Sequence, residues 1–171
     1  MIIIRKLTGS DTKIYREARL YCLKTYPDKF GSLYEDEIKK EKLFFEECLE
    51  NATCDSFVFG ALNGKKCIGL CGFVPEKRSR TKHRGEIIQM FVHEDYRGQK
   101  TGEKLLLATI ADAFKNPVME QIILGVMSTN KAAMELYTKL GFVEYGFMEN
   151  YFKTPGGYMH QSFLKLTRTH E

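Results

Sequence analysis

The feature that most constrains the fold is a strand pattern that runs through a polar, glycine-bearing loop into a helix pattern. Residues 85–92, GEIIQMFV, are typical of a buried strand, and residues 103–116, EKLLLATIADAFKN, carry apolar side chains at helical spacing. The loop between them opens the helix at about Gly102. A second strand at residues 119–127 leads into a second, shorter helix within residues 128–142. This succession predicts an α/β fold in which helices cover a sheet.

The N-terminal third is predicted to hold one strand and two helices. MIIIRKL is β-branched and apolar, and Ser10 and Asp11 are N-cap candidates for a helix that ends before Tyr26-Pro27. A second helix is predicted over residues 34–51, where acidic side chains crowd the first turn. Its inward-facing side chains are predicted to be Ile38, Leu43, Phe45 and Leu49.

Two hairpins complete the predicted order. Residues 56–74 alternate around Asn63-Gly64, a turn pair in which both residues must accept positive φ. Residues 143–152 and 158–167 predict a final hairpin around Pro155-Gly156-Gly157. The order is β-α-α-β-β-β-α-β-α-β-β. With 171 residues and no internal repeat or linker, the chain is expected to form a single domain over residues 1–171.

Charge and hydropathy exclude several classes of protein. The net charge of +4 and the pI near 8.7 are only mildly basic, whereas a nucleic-acid-binding domain would show a pI above about 9. No apolar run approaches the ~18–20 residues of a membrane span, and the first residues lack the features of a secretory signal. We therefore expect no nucleic-acid or membrane partner and a cytoplasmic location. The basic loop at residues 77–84 is interpreted as solvated.

The cysteines and histidines indicate neither a disulfide framework nor a metal site. Five cysteines are an odd number. Cys67 and Cys71 lie four apart in a strand pattern, which predicts that they share one face of that strand as reduced thiols. The four histidines have no metal-ligand spacing, so no metal is expected.

Two segments carry candidate chemistry. In the strand–loop–helix unit, Gly98 and Gly102 would let an anion approach free backbone N–H groups, while Arg97 and Lys100 add positive charge. An ordinary loop punctuated by glycines is the alternative. In residues 128–142, Asn130 is placed to cap a helix. The apolar stripe of that helix makes Tyr137 a core tyrosine by default.

Together these segments resemble the GNAT superfamily of acetyl-CoA-dependent N-acetyltransferases. The family's pyrophosphate loop, Q/R-x-x-G-x-G/A, is similar to the stretch Arg97-Gly98-Gln99-Lys100-Thr101-Gly102. The family's second motif, N-x-x-A-x-x-L-Y-x-K-x-G-F, is matched position for position by Asn130, Ala133, Leu136, Tyr137, Lys139, Gly141 and Phe142. The element order matches too, so the resemblance covers nearly the whole chain. It implies a mixed sheet flanked by helices, with central strands splayed at the cofactor site.

Lys100 stands where the family usually has glycine. If Lys100 has an ordinary negative φ, the loop still presents its N–H groups and the ammonium can pair with a phosphate. If the position needs the left-handed conformation, the penalty is on the order of 1 kcal/mol.

The resemblance implies transfer of an acetyl group from acetyl-CoA, without a metal, to a primary amine of a small molecule or a protein, by direct attack in a ternary complex. A homodimer is a possible assembly, since homodimers are common among relatives. The cofactor-binding residues that it implies are Phe91, Val92, Arg97, Gly98, Gln99, Lys100, Thr101, Gly102, Glu103, Asn130, Ala133 and Tyr137.

The resemblance also implies catalytic roles. Tyr137 would protonate the leaving sulfur, and a backbone N–H at about Phe91 or Val92 would hold the carbonyl oxygen. Glu86 would act as the base through water; the alternative is a strand-end carboxylate paired with Arg84. A competing interpretation of the whole chain is a CoA-binding regulatory module without turnover.

Overall fold

The protein is described by a computed structural model over residues 1–51 and 53–169. The helices are α1 (Thr12–Thr25), α2 (Tyr34–Glu37), α3 (Phe44–Glu50), α4 (Thr101–Ala113) and α5 (Lys131–Lys139). The strands are β1 (Ile2–Lys6), β2 (Phe57–Asn63), β3 (Lys66–Pro75), β4 (Arg84–Val92), β5 (Gln121–Met127), β6 (Val143–Thr154) and β7 (Gly157–Thr167). No helix in this described part of the chain has the length and apolarity that crossing a membrane requires.

The seven strands form one mixed sheet in the order β1-β2-β3-β4-β5-β7-β6. Every neighbouring pair is antiparallel except β4 and β5, whose parallel pairing is made possible by the crossover through α4. These two strands pair only from Arg84↔Gln121 to Glu86↔Ile123, and beyond that point they separate. The structure thus confirms the predicted mixed sheet with splayed central strands.

Apolar side chains cover both faces of the sheet. On one face Leu105 and Leu106 of α4 pack with Ile122 and Leu124 of β5. On the other face lies a second buried cluster: Leu7, Tyr15, Ala18, Leu43, Phe45, Val58, Leu62, Cys67 and Leu70. The central strand β3 is buried from Cys67 to Phe73, and because both of its faces are covered there, those residues are all apolar or glycine.

The predicted second helix is broken, and that prediction is wrong over residues 38–43. Ile38 is 44% exposed rather than inward-facing. Leu43 is extended, and its N–H donates to Oε2 of Glu46 at 2.6 Å, which begins α3 there. The same carboxylate accepts a hydrogen bond from Arg16 of α1 at 2.6 Å. A tertiary ion pair therefore fixes a helix start that residues 34–51 alone do not reveal.

Two details of the β2–β3 hairpin differ from the prediction. Asn63 pairs with Lys66, so the turn residues are Gly64 and Lys65, and only Gly64 has a positive φ, of 59°. The register then shifts after Ala61, where a β-bulge adds one residue to β3. A one-residue bulge reverses the alternation of side chains.

The bulge corrects the prediction for the cysteines. Cys67 packs in the buried cluster on the α1 face, and Cys71 packs in the cluster on the α4 face, so they lie on opposite faces of β3. Both thiols are free and buried, and burial raises the pKa of Cys67 to about 11 and that of Cys71 to about 12. Neutral thiols on two different faces act as small apolar core residues.

Candidate active site

A cavity of about 520 Å³ occupies the gap between the splayed strands β4 and β5. Its walls are the second half of β4, the loop after it, the first turn of α4, and α5. All the predicted cofactor-binding residues line this cavity except Gln99, whose side-chain amide instead donates to the backbone oxygen of Asp95 at 3.3 Å. The sequence motifs are therefore brought together around one space, and Gln99 is the exception.

The loop before α4 is left-handed at two positions. Gly98 has a φ of 74°, and Lys100 has φ 59° and ψ 14°. The position therefore takes the second of the two conformations considered for Lys100, which explains why glycine is usual there in the family. Lys100 is also the N-cap of α4 and makes no side-chain hydrogen bond to the helix. A lysine has no acceptor to offer, so the first N–H groups of α4 remain available to an anion.

Two charged side chains at the mouth of the cavity are held in place. Nε of Arg97 donates to the backbone oxygen of Val92 at 3.1 Å, and the guanidinium lies 4.7 Å from the centre of the Tyr26 ring. Glu103, in the first turn of α4, pairs with Lys139 of α5 at 2.6 Å, and this pair lowers the Glu103 pKa. The carboxylate is therefore partly neutralised at the place where a phosphate would sit.

β4 carries a bulge at Gln89, close to the start of the gap. Ile88 pairs with Gly72 and Phe91 pairs with Leu70, and between them Gln89 has a φ of 57°. Burial raises the pKa of Tyr15 to about 12, so its hydroxyl stays protonated and donates to Oε1 of Gln89 at 2.9 Å.

The bulge also sets the direction of the backbone N–H groups that follow it. The backbone N–H of His93 donates to the backbone oxygen of Ile68 in β3 at 2.8 Å. Successive N–H groups of a strand point to opposite sides, so the N–H of Val92 points away from β3 and into the gap. Between the two residues considered from the sequence, Val92 has the donor that faces the cavity.

Tyr137 lies on α5 with its ring buried against the core and its side chain lining the cavity. Burial, and then the neighbouring thiol of Cys71, raise its pKa well above the ordinary value. Its hydroxyl has no hydrogen-bond partner among residues 1–51 and 53–169. The ring is thus a core group, as its helical stripe predicts, and the residue brings a protonated hydroxyl to the wall of the cavity.

A smaller cavity of about 260 Å³ adjoins the larger one and shares Ile88, Gln89 and Gly125 with it. Glu86 lines this second cavity and not the first. Burial, and then the nearby Glu76, raise the pKa of Glu86.

The alternative considered from the sequence, an ion pair between Glu86 and Arg84, is not formed in the described residues. The carboxyl is therefore left open to the smaller cavity.

Sequence reasoning missed three residues around these cavities. Gln89 looks like a polar interruption in an apolar strand, and only its positive φ marks it. Arg19 looks like a surface residue of a helix, yet it is 4% exposed and lines the smaller cavity. Lys29 lines both cavities from the segment after α1. Within the described residues, no group of three or more His, Cys, Asp or Glu side chains is placed to hold a metal ion.

The comparisons with known proteins agree with this architecture. Residues 14–142 match the Acetyltransferase (GNAT) family. N-alpha-acetyltransferase 30 of Schizosaccharomyces pombe (strain 972 / ATCC 24843) is 33% identical over 96 residues, which are 56% of this chain and 63% of that protein. The chain is thus matched to less than two thirds of that relative's length.

Two solved structures show the same fold at low sequence identity. One is an acetyltransferase of the GNAT family from Streptococcus pneumoniae, with a TM-score of 0.83 and 23% identity over 98% of this chain and 100% of that one. The other is yncA from Salmonella typhimurium with its cofactor acetyl-CoA, with a TM-score of 0.79 and 18% identity over 100% of this chain and 96% of that one.

Proposed function

Because this chain belongs to the acetyltransferase (GNAT) family, we propose that it transfers an acetyl group from acetyl-CoA to a primary amine by direct attack in a ternary complex. The observation that carries the proposal is the gap between β4 and β5, which opens beside the N-terminus of α4 and contains the inward-facing N–H of Val92. A single cavity can therefore receive a diphosphate at one end and a thioester carbonyl in its middle.

The residues of the loop fit the diphosphate of CoA. The free N–H groups at the start of α4 and the helix dipole supply a site for negative charge. A Cβ on Gly102 would lie 3.4–3.5 Å from Met90, Leu136 and Val92, which all line the cavity, so a larger side chain at this position would take up space at the helix mouth. The guanidinium of Arg97 adds a positive charge at the same mouth.

In the proposed reaction, the amine nitrogen attacks the thioester carbonyl carbon, the C–N bond forms and the C–S bond breaks. The N–H of Val92 donates to the carbonyl oxygen as negative charge develops on it. Glu86 takes the proton that the amine loses, through water, and its raised pKa makes it a stronger base than an ordinary glutamate.

Tyr137 donates its hydroxyl hydrogen toward the departing sulfur. Its raised pKa makes it a weaker acid than a free tyrosine, so its contribution comes from a hydrogen bond to the developing thiolate more than from complete proton transfer. A thiol of ordinary pKa ~8.5 is a fair leaving group, which keeps this requirement small.

The proposal is tested by incubating the protein with acetyl-CoA and a panel of primary amines while free thiol is measured. We expect amine-dependent thiol release, and loss of it in Gly102→Val, whose side chain would fill the helix mouth. CoA binding without thiol release from any amine would instead support the regulatory module.

We also propose a homodimer through β6, one of the two edge strands of the sheet. β6 exposes Val143 (62%), Tyr145 (51%) and Phe147 (52%), and an edge with such side chains is prone to pair with another chain. Light scattering of the purified protein distinguishes a dimer from a monomer.

A further inference from the structure

Arg19 of α1 is a buried arginine for which the described chain supplies no counter-charge. It is 4% exposed, and no carboxylate of residues 1–51 and 53–169 forms an ion pair with it. Its Nε has no hydrogen-bond partner, and Nη1 is 3.8 Å from the sulfur of Cys22. The guanidinium lies 5.2 Å from the centre of the Phe30 ring, whose face offsets part of the lost hydration but supplies no negative charge. Arginine is rarely buried without a counter-charge, because its lost hydration is then not fully replaced. The arrangement therefore calls for an anion from outside the chain.

The smaller cavity is where such an anion would reach Arg19. Arg19 and Lys29 both line it, which gives it two positive charges. Glu86 lines the same cavity but forms no ion pair with Arg19. The cavity thus has a positively charged part and a separate carboxyl, with Gln89 at its border with the larger cavity.

We infer that the acceptor is a small amine that also carries a carboxylate, an amino acid, and that Arg19 binds its carboxylate. This inference rests on the proposed acetyl transfer. A guanidinium presents a planar pair of N–H donors that matches the two oxygens of a carboxylate. The amine of the same molecule then lies on the Gln89 side, next to the thioester, and loses its proton to Glu86. The carboxylate takes no part in the bond changes, and the products are an N-acetylated amino acid and CoA thiol.

Two further observations favour a small acceptor over a protein chain. The cavity of about 260 Å³ is smaller than the ~300–1,000 Å³ usual for drug-sized ligands. One wall is the segment after α1, and there a Cβ on Gly31 would lie 2.6 Å from the Phe152 ring of β6. Loop and strand are therefore in close contact there, and they close the cavity on that side.

The experiment compares acceptors that differ only in the carboxylate. Wild-type protein, Arg19→Met and Lys24→Met are assayed with the twenty common L-amino acids, and the best acceptor is compared with its amide and its decarboxylated amine. Lys24→Met is the matched control, because it removes a positive charge from an exposed position of the same helix. We expect the wild type to prefer the amino acid at least tenfold in kcat/KM. In Arg19→Met, kcat/KM should fall at least tenfold for the amino acid and stay unchanged for its amide and its decarboxylated amine. Lys24→Met should match the wild type with all three acceptors.

A second readout does not depend on turnover. The Tm of the protein with CoA bound is measured with each amino acid, and we expect a rise in the wild type that Arg19→Met abolishes and Arg19→Lys partly restores. The inference is overturned if amines are acetylated with no preference for the carboxylate, or if peptides are acetylated faster than every free amino acid. If no amine causes thiol release, the proposed function is refuted. If no amino acid raises Tm in a way that depends on Arg19, this inference is refuted, whether or not thiol is released.

Discussion

Replacing Lys100 by glycine and by alanine separates the backbone strain of the loop from the charge of its side chain. Lys100 has a φ of 59°, a left-handed conformation that glycine adopts freely and that a residue with a Cβ does not. Lys100→Gly removes both the strain and the ammonium. Lys100→Ala removes the ammonium and keeps the Cβ, so it is the matched control.

The expected gain in stability follows from two opposing contributions. The left-handed conformation costs a non-glycine residue ~1–2 kcal/mol. Glycine gives back ~0.4–1 kcal/mol, because its unfolded state is more flexible. The free energy of unfolding of Lys100→Gly should therefore exceed that of Lys100→Ala by about 0.5–1 kcal/mol. In a chain of this length, that difference raises Tm by about 1–4 °C.

Urea unfolding measures the stability difference, and calorimetry with CoA measures the affinity of each variant. We expect both variants to bind CoA as tightly as the wild type or, for Lys100→Gly, more tightly. Equal stability of the two variants would refute the strain argument. A loss of affinity of tenfold or more in both, about 1.4 kcal/mol, would show that the ammonium of Lys100 is itself a phosphate ligand.

Three further substitutions test the roles assigned around the two cavities. Tyr137→Phe should lower kcat by roughly 10²-fold, the low end for a positioned acid, and change stability by ~1 kcal/mol or less; full activity at neutral pH would leave Tyr137 as a core residue. Glu86→Gln should lower kcat by roughly 10²–10⁴-fold. In the wild type, kcat/KM should rise with pH as Glu86 ionises, at a pH above that of an ordinary glutamate because its pKa is raised. This rise should be flattened in Glu86→Gln. An unchanged pH profile would exclude Glu86 as the base. Arg19→Met should raise the free energy of unfolding by at least about 1 kcal/mol in urea, since it removes a buried charge without a partner, and a loss of stability would show that Arg19 is a structural residue.

The elements of the fold follow from the sequence because each is encoded locally. Period-two alternation locates the strands, and helical spacing locates α1, α4 and α5. The turn of the final hairpin lies within the predicted Pro155-Gly156-Gly157, with Gly157 already paired with Thr154 as the first residue of β7. The family resemblance is what places the two motif segments at one site. Eleven of the twelve predicted cofactor-binding residues do line one cavity, and Gln99 turns away from it.

What the sequence does not reveal depends on contacts between distant residues. The break before Leu43 depends on Glu46 and its partner Arg16, thirty positions away. The faces of Cys67 and Cys71 depend on a bulge whose only trace is the register with β2. The burial of Arg19 depends on which face of α1 packs against the sheet. Helical spacing alone does not separate a buried arginine from a solvated one.

Three residues that depart from local preference lie around the two cavities. Lys100 is left-handed at the mouth of the larger cavity, Gln89 is left-handed within a strand between the two, and Arg19 is an unpaired charge in the smaller one. Left-handed Asn150, away from both cavities, is a residue type that tolerates this conformation. Each of the three departures is unfavourable for its residue type; Gln89 and Arg19 lie among packed strands and helices, whereas Lys100 lies in an exposed loop. Strain and unpaired charge that persist in this way indicate a requirement of binding or chemistry. The requirement at Lys100 would be binding of a phosphate, the one at the Gln89 bulge would be binding of the thioester, and the one at Arg19 would be binding of a carboxylate.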